Sequence, residues 1–321
     1  MNISELNANE IVTKIAQGEL TSLEVAECLV EQSKLWANIN SFINFNEDQF
    51  LHSALDADKK LASGREVGPL HGLPLVIKDN IDVEGFVTSA ATKALKNFSP
   101  KNQGPVVNAL SKAGAITMAK TNMHELAFTP GITQTSEDEE VLWGAFGAAK
   151  NPYDLEHSPS GSSSGTAAAI SARLAPAGLG TDTGGSVRNP SAWCGISGLR
   201  PSINRYSQKG VVPLSWTRDT IGPMARTVAD LALLDTIITG DNEIPDIEIS
   251  KLRVGIDRQF FCTGCDPDIY NLFNSELIGL SKEGAEIIEV NLIGLADLIN
   301  QIGHSIVRYE VIRALPTYLE S

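Results

Sequence analysis

Apolar residues recur along this chain in short blocks whose period switches between helical and extended. Residues 8–36 read as helix, with Val25, Leu29 and Leu35 on one face and Thr21 and Glu24 at capping-box spacing. Residues 38–49 are less regular, and a helical pattern from Ser53 to Ser63 ends at Gly64. Leu73-Pro-Leu-Val-Ile77 predicts a buried strand, with Lys78, Asp79 and Asn80 at its carboxyl end. A helix over 106–112 leads to a strand over 115–119. The pattern continues with a small-residue helix over 166–173, a strand over 177–181 and a helix over 227–238. A strand over 252–256, a helix over 268–283 and a strand over 287–290 complete it. Alternating strands and helices predict an α/β layered fold with both faces of the sheet covered.

Two segments break this rhythm. Ser158-Pro-Ser-Gly-Ser-Ser-Ser-Gly165 precedes the small-residue helix, and Gly180-Thr-Asp-Thr-Gly-Gly-Ser-Val-Arg-Asn-Pro190 follows the next strand. Such turns bring backbone N–H groups and hydroxyls close to a bound group. That suits an oxyanion beside a serine nucleophile. A dinucleotide-binding turn is the rival reading of the second segment. Its glycine spacing is wrong, and no acidic residue closes a following strand. A phosphate loop fails because Ser160–Thr166 contains no lysine.

The 321 residues carry 42% hydrophobic and 20% charged side chains, ordinary for a soluble globular enzyme. A net charge of −14 argues against a general nucleic-acid surface. No secretory signal is visible at the N-terminus, and apolar runs stay short of a membrane span. A cytoplasmic protein without nucleic-acid or membrane partners is expected. Four cysteines fit a reducing compartment. Cys262 and Cys265 form one Cys-x-x-Cys, read as a surface loop with two free thiols rather than a redox or metal site; no metal or cofactor is expected. Ser136–Glu140 is acidic and reads as a solvated loop.

A hydrolytic serine needs a base. None of His52, His71, His124, His157 and His304 lies near a nucleophile elbow, and His124 reads first as a structural residue. Lys78 is the alternative, since burial lowers an ammonium pKa. On strand context alone, an ion pair between Lys78 and Asp79 is an equal reading.

Gly68-Pro-Leu-His-Gly-Leu-Pro-Leu-Val-Ile-Lys78-Asp79, the two serine/glycine turns, Cys194-Gly-Ile-Ser-Gly-Leu-Arg-Pro201 and Arg218-Asp-Thr-Ile-Gly-Pro-Met-Ala-Arg-Thr-Val-Ala-Asp230 together resemble the amidase signature family. The resemblance runs from about residue 8 to the chain's end. It implies a central mixed β-sheet with helices on both faces, in three α/β/α layers. It also implies a Ser–cis-Ser–Lys triad and an acyl-enzyme. Residue by residue, the base falls on Lys78, the bridging serine after a cis peptide bond on Ser162, and the nucleophile on Ser186. Oxyanion donors fall on Thr183, Gly184 and Gly185, within the stretch Thr183–Ser186. Asp182 and Arg188 are expected to shape the loop, or simply to form an ion pair.

Lys120-Thr-Asn-Met-His-Glu-Leu-Ala-Phe128, Leu174–Asp182 and Gly210–Asp219 look most like indoleacetamide and mandelamide hydrolases, which implies a small arylacetamide substrate. Trp143, Phe146, Trp193 and Trp216 are candidates for an aryl pocket, though each reads more readily as core. The alternatives are the glutaminase subunit of a tRNA-dependent amidotransferase, and an inactive amidase-like scaffold. A homodimer is left open. Gln134–Trp143 looks like an insertion. Family members are longer, so an N-terminal helical region (1–60) and a catalytic domain (61–321) incomplete at its C-terminus are expected, acting as one domain.

Overall fold

The predicted strand at 73–77 becomes an inner strand of the sheet. A computed structural model describes residues 2–128, 144–242 and 247–320; the insertion at 134–143, the acidic run and Trp143 lie outside these. The chain divides into two units, Met1–Asp241 with Glu310–Ser321, and Asn242–Tyr309.

The first unit opens with α1 (Ala8–Ala16) and α2 (Ser22–Leu35) where the apolar pattern predicts one helix. Gly18, at φ +71°, ends the first in the left-handed region, and the complete Thr21/Glu24 capping box starts the second. β1 (Phe42–Phe45) and α3 (Glu47–Ala62) fill the region that looked irregular. Then come β2 (Pro74–Lys78), α4 (Pro105–Lys112), β3 (Ile116–Thr121), α5 (Ser164–Ser171), β4 (Ala177–Asp182), α6 (Arg188–Trp193), β5 (Ser197–Gly198), β6 (Thr220–Ala225) and α7 (Val228–Thr239).

These strands form one mixed sheet in the order β1-β3-β2-β4-β6-β5. β2 runs parallel to β3 and β4, while β1–β3, β4–β6 and β5–β6 are antiparallel. Every residue of β2, β4 and β6 is buried, so both faces of the inner sheet are covered. The alternation of side chains then has a consequence. Lys78 stands beside Thr121 and Ile77 beside Lys120 in the β2–β3 register, so Lys78 and Lys120 point to opposite faces.

β6 has no strand signature, because Gly222 and Pro223 interrupt it. It forms nonetheless: Leu179 pairs with Pro223, whose carbonyl still accepts from the Leu199 N–H (3.0 Å). The first sixty residues do not stand apart. Ile11, Ile15, Val25, Leu29 and Phe50 share a core with Val76, Ile77 and Leu179.

α5 explains the small-residue run. All residues from Ser164 to Ile170 are buried, and a Cβ on Gly165 would meet the Ser41 carbonyl at 2.3 Å and the Asn122 N at 2.5 Å. Only glycine lets the start of this helix reach the β3 end, where Thr121 and Thr166 hydroxyls bond at 2.6 Å.

In the second unit, β7 (Arg253–Ile256) pairs in parallel with β8 (Glu286–Glu289), accompanied by α8 (Arg258–Cys262) and α9 (Pro267–Lys282). Cys262 ends α8 and Cys265 is exposed; both are free thiols. α10 (Leu295–Glu320) contributes residues to both units. Among the described residues, no helix is long and apolar enough to cross a membrane.

Candidate active site

The carboxyl ends of β2 and β4 and the turn before α5 converge on one buried amine. Lys78, the last residue of β2, is fully buried. Its Nζ donates to Ser162 Oγ at 2.7 Å, to Thr181 Oγ1 at 2.7 Å and to the Thr181 carbonyl at 3.3 Å. Asn80 Nδ2 donates to the same threonine hydroxyl at 3.0 Å. Burial draws the Lys78 pKa from 10.5 down to about 7, with the negative charges of Asp182 and Asp219 opposing part of that fall. A substantial neutral fraction therefore exists at physiological pH.

The ion pair between Lys78 and Asp79 does not form. Successive strand residues face opposite ways, and Asp79 turns instead toward Lys120, with Nζ and Oδ1 3.5 Å apart and both side chains 0% exposed. Asp79 also accepts from the Ser89 hydroxyl and, at 3.0 Å, from the Ser89 N–H. Lys120 completes its set with the Val87 carbonyl at 3.1 Å and Thr88 Oγ1 at 3.0 Å. Of the two buried lysines, one is committed to a carboxylate and the other to hydroxyls.

Ser162 follows a cis peptide bond from Gly161 and is itself buried. His124 forms the floor beneath this turn. Its backbone N–H donates to the Ser162 carbonyl at 3.3 Å, and a Cβ on Gly161 would fall 2.2–2.6 Å from three of its ring atoms. Burial, helped by the Lys78 charge, pushes the imidazole down to about 4, so it is neutral at pH 7. Gly161→Ala should therefore force ring and turn apart. The expected result is a loss of about 1–3 kcal/mol, from overpacking, with a larger proportional loss of activity. Urea denaturation alongside initial rates checks it; wild-type values for both would show that the contact is slack.

The two serine/glycine turns are bolted together by Ser163, which sequence reasoning passed over. Its N–H donates to the Ser186 carbonyl at 3.1 Å, and its hydroxyl donates to the Thr181 carbonyl at 3.2 Å. Lys78 and Ser162 thus touch directly, and Ser186 is joined to them through Ser163. No hydrogen bond links the Ser186 and Ser162 hydroxyls among the described residues. Ser186 is partly exposed.

Asp182 is the hub of the second turn. Its carboxylate receives Gly185 N–H (2.8 Å), Val187 N–H (3.1 Å), Arg188 Nε (3.1 Å) and Nη2 (3.2 Å), and Arg200 Nη1 (2.9 Å). Burial by itself would raise its pKa. Arg188 and the two N–H groups outweigh that and hold it below the usual carboxylate range. The Gly185 N–H, expected to face an oxyanion, is consumed by this carboxylate, so the donors left in the turn are the N–H groups of Thr183, Gly184 and Ser186. Arg200 also donates to the Asp182 carbonyl and to the Arg218 carbonyl at 2.9 Å. It lies inside the Cys194–Pro201 motif, where its spacing alone gives no sign of this partner.

Of the aromatic candidates, Trp193 and Trp216 are 46% and 44% exposed, so neither is core, and Phe146 is half-buried. A separate cavity of about 440 Å³ lies between the end of α2 and β1, lined by Trp36, Phe42 and Phe45 among others. None of the residues above lines it.

The family model described as Amidase matches residues 24–320. Mandelamide hydrolase from Pseudomonas putida is 37% identical over 99% of this chain and 62% of its own length. A glutamyl-tRNA(Gln) amidotransferase subunit from Lachnospira eligens is 34% identical over 99% of the chain and 64% of its own. Among solved structures, one described as a crystal structure of amidase superposes with TM-score 0.86 at 33% identity, covering 98% of this chain and 70% of that one. The native peptide amidase from Stenotrophomonas maltophilia gives 0.84 at 29%, covering 98% and 68%. The chain spans less than two thirds of the length of those curated relatives.

Proposed function

From the premise that this chain belongs to the amidase family, we propose that it hydrolyses a small linear amide to a carboxylic acid and ammonia, with Lys78 as base, Ser162 as relay and Ser186 as nucleophile. One observation carries this reading: a fully buried lysine, drawn to about pKa 7, with its nitrogen 2.7 Å from the Ser162 hydroxyl and Ser162 one residue from the bolt to Ser186.

The steps follow from that contact. Neutral Lys78 takes the Ser162 proton as Ser162 takes the proton of Ser186, and Ser186 Oγ adds to the amide carbon. The N–H groups of Thr183, Gly184 and Ser186 are the donors available to the oxyanion, and one such donor is typically worth about 3 kcal/mol. The proton then returns through Ser162 to the amide nitrogen, the C–N bond breaks and ammonia leaves. Water attacks the acyl-enzyme and gives up a proton by the same route, and the acid departs as Ser186 regains its own.

An arylacetamide is the substrate class that the 37% identity to a mandelamide hydrolase supports. A glutamine substrate, with ammonia passed to a partner protein, is the second reading and rests on the 34% identity to an amidotransferase subunit. Ammonia release from mandelamide and indole-3-acetamide, with glutamine in parallel, separates them. No release from any of these, together with no fluorophosphonate label on Ser186, would mean an inactive scaffold. The pH profile is a further test. Since only unprotonated Lys78 accepts a proton, kcat/KM should rise tenfold per pH unit below about 7 and level off above it. A profile flat from pH 5 to 8 would remove Lys78 from the mechanism.

A further inference from the structure

Asp219 sits outside the triad, yet two parts of the site depend on it. It is buried, and its Oδ1 accepts from the Thr183 hydroxyl at 2.5 Å. Its Oδ2 accepts from the backbone N–H groups of Leu214 and Ser215, both at 2.8 Å. One carboxylate therefore joins the turn that starts at Thr183 to the turn over 214–219. That second turn closes on itself, because the Asp219 N–H donates to the Ser215 carbonyl at 2.7 Å. It is clamped from its far side as well. Glu310, buried on α10, accepts from the Ser215 hydroxyl and from Thr217 Oγ1 at 2.8 Å. Ser215 is thus held by Asp219 through its backbone and by Glu310 through its side chain.

We infer that Asp219 is a positioning residue for the oxyanion turn, fixing Thr183 through its hydroxyl so that the neighbouring N–H groups face the reacting carbonyl, with Glu310 as the outer anchor of the same clamp. The inference rests on the hydrolase reading above. The geometric reason is the layout of the turn. Asp182 grips it from inside at Gly185, Val187 and Arg188, which leaves Thr183 and Gly184 ahead of the first of these contacts. Thr183 begins the donor stretch, and the hydroxyl bond to Asp219 ties it down from the other side. Without that side-chain tie Thr183 and Gly184 would be fixed only through the end of β4 and the Gly185 contact, and misplacing donors by about 1 Å can cost on the order of a hundredfold in rate.

The test uses Thr183→Val, which removes one hydroxyl and keeps the shape, with Asp219→Ala and the double variant. Two quantities are measured: hydrogen exchange of the peptide spanning 182–190, which reports the Gly185 and Val187 amides, and steady-state turnover. Each single variant should raise exchange in that peptide and lower kcat at least tenfold, with KM changed less than twofold. The double variant should be within twofold of Asp219→Ala, because both changes break the same bond. Unchanged exchange in Thr183→Val, fully multiplicative losses, or raised exchange with wild-type kcat would each overturn the inference. A wild type that neither releases ammonia nor takes the fluorophosphonate label would sink the hydrolase reading and, with it, the catalytic half of the inference. The exchange measurement would still decide whether Asp219 holds the turn.

Discussion

Replacing Lys78 with methionine is expected to abolish turnover, by on the order of 10⁴-fold or more, while making the folded protein more stable at neutral and acidic pH. The first half follows from the proposed mechanism, since Lys78 is the one hydrogen-bond partner of Ser162 Oγ among the described residues. The second follows from linkage. The folded protein holds the Lys78 amine at about 7, against 10.5 for the ordinary side chain. Between those values the unfolded chain binds a proton that the native state does not, so wild-type stability climbs with pH across that interval. Below about 7 the native state carries a buried ammonium and bears the full penalty, several kcal/mol. Methionine fills a similar volume without the charge. The gain of the variant should therefore be largest below pH 7 and shrink toward pH 10. Urea denaturation at pH 6 and 9, beside ammonia release, tests both halves. A variant less stable than wild type at pH 6 would show that Lys78 is retained for structure.

Lys120→Met should do the reverse and destabilise the fold by about 3–5 kcal/mol, the usual result of removing one partner of a buried ion pair. Asp79 would remain, fully buried, with Oδ1 facing no cation. Burial already raises the Asp79 carboxyl above its ordinary value despite Lys120. Without Lys120 it should rise further, so the native state takes up a proton that the unfolded chain lacks above about pH 4. The deficit should then narrow on acidification and widen toward pH 8. Adding Asp79→Asn should recover part of the loss, because an amide needs no counter-ion. If Lys120→Met alone costs less than 1 kcal/mol, or if the double variant is worse than the single, the pair does not matter in the way described.

These two lysines mark how far the sequence could be read. Both lie in apolar strand contexts, and the sequence pattern singles out only Lys78. Even there it leaves open whether Asp79 or a hydroxyl would be the partner. Strand register decides: one residue of offset sends Asp79 to the face that holds Lys120 and leaves Lys78 with Ser162 and Thr181. The local patterns that succeeded are those with a physical period or a cap, such as the run at Leu73–Ile77, the capping box at Thr21, and the small-residue helix α5. β6 was invisible because Gly222 and Pro223 break its pattern; its place in the sheet comes from pairing with β4. Arg200, Asp219 and Glu310 were illegible as site residues for a related reason. Each acts on a group 18 to 95 residues away in the chain, and no local spacing encodes such a meeting.

By itself, the sequence determined the layered α/β class, the two serine/glycine turns, the resemblance to amidases and a short set of candidate site residues. These depend on periodicity, backbone permissiveness and motif order, all written within a few residues of one another. Only the tertiary structure decided which lysine meets hydroxyls and which a carboxylate, that Ser163 bolts the turns together, and that Asp182 claims the Gly185 N–H. Those outcomes depend on which side chains the sheet register and the helix ends bring within about 3 Å, and that proximity exists only once the chain is folded.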